Sequence, residues 1–127
     1  MIGPYDFTSE KIDEVVEKMR LGNYVLGRVD VSDGAFIVNW VGRSDTDLNK
    51  EMKERLKFKY PNFKFSYADS KKAAFEKECC NYHDFGGKYR LNNKIHPDRP
   101  NGTTHLDCPV AGCTELPLCR LSGTIQR

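Results

Sequence analysis

Two stretches rich in β-branched and aromatic residues lie on either side of one tight turn. Asn23 to Asp30 carries Tyr24, Val25, Leu26 and Val29, Ala35 to Val41 carries Phe36, Ile37, Val38 and Trp40, and Ser32-Asp33-Gly34 lies between them. Strand-forming residues bounded by turn formers at this spacing predict two antiparallel strands joined as a hairpin. That hairpin commits the chain to a small, mainly antiparallel sheet, and the flanking sequence must supply its cover.

The flanks read as helices and one further strand. Ile12, Val15, Val16 and Met19 recur at helical spacing behind Thr8 and Ser9, which predicts an amphipathic helix capped there and stopped near Gly22. Leu48, Met52 and Leu56 place a second helix over residues 47–57, with Asp45 or Thr46 as its cap. After Pro61, Phe63-Lys64-Phe65-Ser66-Tyr67 alternates with period two and predicts a third strand. A third helix begins near Asp69 or Ser70, runs through Ala73, Ala74, Phe75, Cys79 and Tyr82, and closes at Gly86-Gly87. From Lys88 onward Pro, Gly, Asn and Thr accumulate and periodicity is lost. The expectation is an α+β fold with a three-stranded sheet, an extra N-terminal helix and an irregular, cysteine-containing tail over 94–127.

A chain of 127 residues is the length of one domain. With 39% hydrophobic and 30% charged residues and a mean hydropathy of -0.64, it has material for a core and no stretch that reads as a membrane span. Its opening, Met1-Ile2-Gly3-Pro4-Tyr5-Asp6, has neither a basic segment nor an apolar one, so the expected location is cytoplasmic. Twenty Lys and Arg against eighteen Asp and Glu leave a formal charge of +2, compatible with a local cationic face and far from a strongly basic nucleic-acid binder.

Several charged residues fall on apolar stripes. Arg55 and Glu51 flank the Leu48-Met52-Leu56 line, and Glu78 lies inside the stripe formed by Ala74, Phe75, Cys79 and Tyr82. Such residues form a structural ion pair, extend their charged ends to water, or build a site in which a carboxylate holds a divalent cation and an arginine steadies phosphate charge.

Gly22-Asn23-Tyr24 in the first hairpin strand, followed after the turn by Asn39-Trp40-Val41-Gly42-Arg43 and a helix, resembles the two-part signature of GIY-YIG nucleases. The element order over residues 22–93 is also similar to theirs. By motif position the resemblance makes Tyr24 the tyrosine that helps activate water, puts Trp40 in the place of the second tyrosine, and makes Glu78 the ligand of a catalytic Mg or Mn ion. Asn93 is the matching asparagine after that helix. Two positions depart from the pattern: Trp40 has no hydroxyl, and Glu51 stands where the family arginine belongs. Arg55, one turn further on, and Arg43, after the second motif's glycine, are the residues that would supply the missing charge. The resemblance implies metal-assisted hydrolysis of DNA or RNA phosphodiesters, and the departures raise the alternative of a catalytically silent module that binds nucleic acid or protein.

The cysteines and histidines all lie in the C-terminal half. Cys79 and His83 stand i, i+4 on one helical face, and Cys108-Pro109-Val110-Ala111-Gly112-Cys113 is a pair of thiols around a turn. Together they predict a Cys3His structural zinc site that ties the tail to the third helix. Cys80 is also in reach of His83 at i, i+3, His105 is an alternative fourth ligand, and Cys119 falls outside the set. Around the second helix and third strand, Lys50, Lys53, Arg55, Lys57, Lys59, Lys64, Lys71 and Lys72 interleave with Phe58, Tyr60, Phe63, Phe65 and Tyr67. That mixture reads either as phosphate contacts with base stacking or as a solvated face over a core strand.

Overall fold

A computed structural model describes residues 1–101, 106–110 and 113. Four strands and three helices alternate as β1 (Ile2–Asp6), α1 (Ser9–Val15), β2 (Gly22–Val29), β3 (Phe36–Ser44), α2 (Leu48–Glu54), β4 (Asn62–Tyr67) and α3 (Lys71–Asp84). Short 3-10 turns follow α2 at Leu56–Phe58 and α3 at Gly87–Tyr89. The fold is α+β, and the sheet has the order β1-β4-β2-β3 with every pairing antiparallel. None of the described helices is long and apolar enough to cross a membrane.

The sheet has four strands rather than three. The added strand, β1, pairs with β4 at the outer edge through Ile2–Phe65, Tyr5–Phe63 and Asp6–Asn62. Its sequence, Ile-Gly-Pro-Tyr-Asp, carries two residues that break central strands. An edge strand accepts them because one side of its backbone faces solvent.

Helix α1 is capped by Thr8, whose side chain accepts from Lys11 N, but it ends at Val15 instead of near Gly22. Tertiary partners take the backbone groups that a longer helix would use: Val16 O accepts from Asn49 Nδ2 at 2.9 Å and Glu17 N donates to Tyr67 Oη at 2.9 Å. Helix α2 is capped by Asp47 rather than by Asp45 or Thr46, and α3 by Ser70.

Central strand β2 is buried on both faces, so its alternation sorts two cores. Tyr24 and Leu26 join Phe7, Ile12, Val16, Leu48, Met52, Phe63 and Phe65 under α1 and α2. Val25 packs with Val41, Tyr82 and Leu91 on the α3 face. Asn23 Nδ2 donates to Ala74 O at 2.8 Å, fixing α3 to the sheet through a buried polar bond. A third cluster, made by Phe75, Cys79, Leu106, Cys108, Val110 and Cys113, docks residues 106–110 and Cys113 on α3.

Strand β3 bulges where Leu26 faces Trp40 and Gly27 faces Val38, so Asn39 has no partner on β2. The released Asn39 carbonyl accepts from Asn92 N at 2.7 Å. One residue on, Asn93 grips Val41 twice: Oδ1 accepts from Val41 N at 2.9 Å and Nδ2 donates to Val41 O at 2.8 Å. The chain that follows α3 thereby closes the open edge of β3.

Leu48 is fully buried in the α1–α2 core. Leu48→Ala is expected to lower the unfolding free energy by about 2–5 kcal/mol, seen as a lower urea midpoint with an unchanged slope.

Candidate functional site

A polar cleft of about 350 Å³ opens at the bulged edge of β3 and is lined from β2, β3, α2, α3 and the segment after α3. Tyr24, Trp40, Arg43, Arg55, Glu78 and Asn93 all line it, together with Asp45, Glu51 and Asp98. Gly42 lies beneath the Tyr24 ring, and a Cβ at this position would overlap that ring. The small residue in the second motif therefore has a packing reason: it lets Tyr24 reach the cleft.

Two arginine–carboxylate groups occupy the walls. Arg43 Nη1 donates to Glu78 Oε1 at 2.6 Å, and Arg43 Nε donates to Asp45 Oδ1 at 2.9 Å. Arg55 Nε and Tyr24 Oη both donate to Glu51 Oε2, at 3.0 and 2.9 Å. Glu51 thus bridges the first-motif tyrosine and an arginine one helical turn away. Burial, with the Glu51 charge adding to it, pushes the Tyr24 phenol well above its ordinary pKa, so it stays protonated. Burial also raises the Glu78 carboxyl to about 7, against the opposing pull of Arg43 and helped by Asp45 and Glu51.

Two arginines face four carboxylates across this cleft. The cleft therefore carries net negative charge, which a divalent cation would compensate. Oxygen donors are the chemistry a hard cation takes, so Glu78, which gives Oε1 to Arg43 and has a second oxygen to offer, fits a Mg or Mn ion in donor type.

The second constellation lies further along α3. His83 Nε2 and His96 Nε2 are 3.2 Å apart, and Cys113 Sγ is 3.5 Å from His96 Nε2. The ligand atoms of His83, His96, Cys108 and Cys113 all fall within 4.8 Å of one another. In a tetrahedral site, bonds of about 2.0–2.1 Å to nitrogen and about 2.3 Å to sulfur put two nitrogens about 3.3 Å apart and nitrogen and sulfur about 3.6 Å apart. Both separations agree with that geometry, and the four side chains are close enough to hold a metal ion. His96 Nδ1 lies 3.0 Å from Pro97 O, the outer bond that orients a ligating imidazole and leaves Nε2 for the metal. Hydrogen bonds from Cys79, and then from His83 and His96, hold the Cys108 thiol far below its ordinary pKa, as a thiolate ligand requires.

His83, Cys108 and Cys113 come together as their spacing predicts, and His96 stands where the spacing placed Cys79. Cys79 is fully buried, bonded to Cys108 and packed with Phe75, Leu106 and Val110. Spacing along one helix finds i, i+4 neighbours and is blind to a histidine thirteen residues on that the Asn92–Asn93 clamp swings back over α3. Cys80, half-buried, packs against the same cluster. His105 and Cys119 lie outside the described residues.

The aromatic and basic residues divide as well. Phe63 and Phe65 are core, and Tyr67 carries the Arg20 guanidinium 3.7 Å from its ring centre. Lys53 pairs with Asp13 at 2.6 Å and Lys72 with Glu76 at 3.0 Å, away from the cleft. Phe58 packs on Trp40, which lines the cleft, and Tyr60 packs on Phe58.

In comparison with known proteins, no family model, no curated protein and no solved structure matches the chain.

Two outcomes are expected from these groups. The folded state binds the Glu78 proton more tightly than the unfolded chain, so the contribution of Glu78 to stability falls as pH rises from about 4.5 to about 7 and stays lower above that. Urea unfolding across this window should show Glu78→Gln gaining stability relative to the parent as pH rises. For the second centre, elemental analysis of purified protein should find about one transition-metal ion per chain. His96→Ala should weaken its retention against a chelator by more than the roughly 10–100-fold that loss of an outer-shell partner costs, whereas Cys79→Ser, a change to the hydrogen-bond partner of Cys108, should cost no more than that.

Proposed function

We propose that the protein is a GIY-YIG-like, metal-dependent nuclease that hydrolyses phosphodiester bonds of DNA or RNA. The observation that carries this reading is the convergence on one cleft of Tyr24, Trp40, Glu78 and Asn93, named from motif positions far apart in sequence, with Arg43 and Arg55, the two candidates for the missing arginine. A Mg or Mn ion held by Glu78 would supply Lewis-acid polarisation of the scissile phosphate.

The chain's own groups do the rest. Tyr24 Oη already donates to Glu51, so as the phenol accepts a proton from the attacking water, its own proton passes to the Glu51 carboxylate. Glu51, a departure from the family pattern, thereby becomes the terminal base of a two-step relay. Arg55 and Arg43 sit on opposite walls and offer guanidinium donors to the phosphate oxygens as negative charge develops. Asn93 acts through β3: its paired bonds hold Val41, and so the strand that carries Trp40 and Arg43, in place. The Cys/His centre takes a structural zinc ion, the metal that two thiolates and two imidazoles in closed tetrahedral geometry favour.

A second reading is favoured by the same hydrogen bonds. Tyr24 is tied to Glu51, and Arg43 to Asp45 and Glu78, which suits a silent module that binds nucleic acid without cutting it.

Purified protein with Mg²⁺ or Mn²⁺ is expected to cleave supercoiled DNA, single-stranded DNA or RNA, and Glu78→Gln to lose at least about 100-fold in rate while keeping its affinity for the strand. Because a proton and the cation compete for Glu78, whose carboxyl burial raises to about 7 in the metal-free protein, cleavage at limiting Mg²⁺ should rise as pH increases toward about 7. Salt-dependent binding without cleavage of any of these substrates would establish the silent module instead.

A further inference from the structure

We propose that Trp40, Phe58 and Tyr60 form a stacking platform for an unpaired nucleobase beside the cleft, so that the substrate is a nucleic acid with a single-stranded segment at the site. The β3 bulge sets Trp40 at the mouth of the cleft, half-buried and lining it. The Phe58 ring centre lies 4.8 Å from that of Trp40 with the planes at 56°, and Tyr60 meets Phe58 edge-on at 6.3 Å. Trp40 and Tyr60 pack against the α1–α2 core and Phe58 meets both rings, so the three form a continuous aromatic ledge. Tyr60 Oη accepts from Asn92 Nδ2 at 2.5 Å, which joins the ledge to the segment closing β3.

Charge selects the occupant. The cleft floor is acidic, but the ledge is bordered by cations: the Arg55 guanidinium lies 5.6 Å from the Phe58 ring centre and the exposed Lys57 ammonium 6.0 Å from it. An aromatic surface flanked by cations suits a base with its phosphate, the pairing used by proteins that bind single strands. Within a duplex both faces of a base are covered by its neighbours, so a base reaches this ledge only when unpaired and unstacked. The proposal deepens the nuclease reading and takes from it only that a phosphodiester occupies the cleft.

The chain has one tryptophan, Trp40, so its fluorescence reports the ledge directly. The full chain at low salt, with Ca²⁺ as the compensating cation in place of Mg²⁺ or Mn²⁺, is titrated with an oligothymidylate and with a blunt, loop-free DNA duplex of equal charge. The expected result is saturable quenching of Trp40 emission by the oligothymidylate at a lower concentration than by the duplex. Phe58→Ala, and Phe58→Leu as the variant that keeps the packing but removes the π-face, should each weaken oligothymidylate binding by about tenfold.

The platform is overturned by oligothymidylate binding, read by anisotropy, that leaves Trp40 emission unchanged. Duplex binding of equal or greater affinity, affinity unchanged in folded Phe58→Leu, or no binding of either probe also overturns it. The two proposals fail separately. Cleavage without quenching removes the platform and leaves the nuclease, and quenching without cleavage does the reverse.

Discussion

Everything at the functional end of this protein hangs on how the β3 edge is closed. A bulge at Asn39 frees one carbonyl, which takes the Asn92 amide, and Asn93 satisfies both backbone groups of Val41. Each such bond contributes only about 1 kcal/mol net, but an edge strand left bare is open to pairing with another chain. The same contacts fix where the chain goes after α3. They hold Asn93 and Asp98 at the cleft and bring His96 back over His83.

The electrostatics of the cleft are not explained by stability. Arg43 and Glu78 have side chains only 10% and 11% exposed, and pairs this buried recover little more than their desolvation cost. Apolar residues of similar volume would serve the core at least as well. What the charged groups add is a set of donors and acceptors held still before any ligand arrives, the condition under which electrostatic stabilisation of a transition state costs no reorganisation. The raised Glu78 carboxyl belongs to the same trade: it is costly when ionised and unpaired, and a dication in the cleft would relieve that cost.

Much of the fold was legible because its periodicities are long and clean. The Asn23–Val41 hairpin, the Leu48-Met52 face and the Ser70-capped third helix each announce themselves in local sequence. Strand β1 was hidden because Gly3 and Pro4 are excluded only from central strands, and position in a sheet is a tertiary property. The early end of α1 was hidden for a similar reason, since Asn49 and Tyr67, which claim its backbone, are 33 and 50 residues away. In the site, motif position named Tyr24, Trp40, Glu78 and Asn93, and the search for a substitute arginine named Arg55 and Arg43; all six line the cleft, but hydrogen bonding between Tyr24 and Glu51 could not be read from two tripeptides. His96 escaped because ligand spacing rules assume that neighbours in space are neighbours in sequence, and here the returning chain supplies the ligand.

The two constellations share their supports. Helix α3 carries Glu78 and, five residues or about 7.5 Å along its axis, His83. The returning segment carries Asn93 for the cleft and His96 for the metal centre, three residues apart. A metal ion that joins His83 to His96 therefore ties the end of α3 to the segment that positions β3. The distance between Glu78 and Arg43, one on the helix and one on the strand, is set by both attachments at once. With a metal ion bound, the cleft would be braced by two crosslinks, Asn93 on the strand side and the Cys/His centre on the helix side.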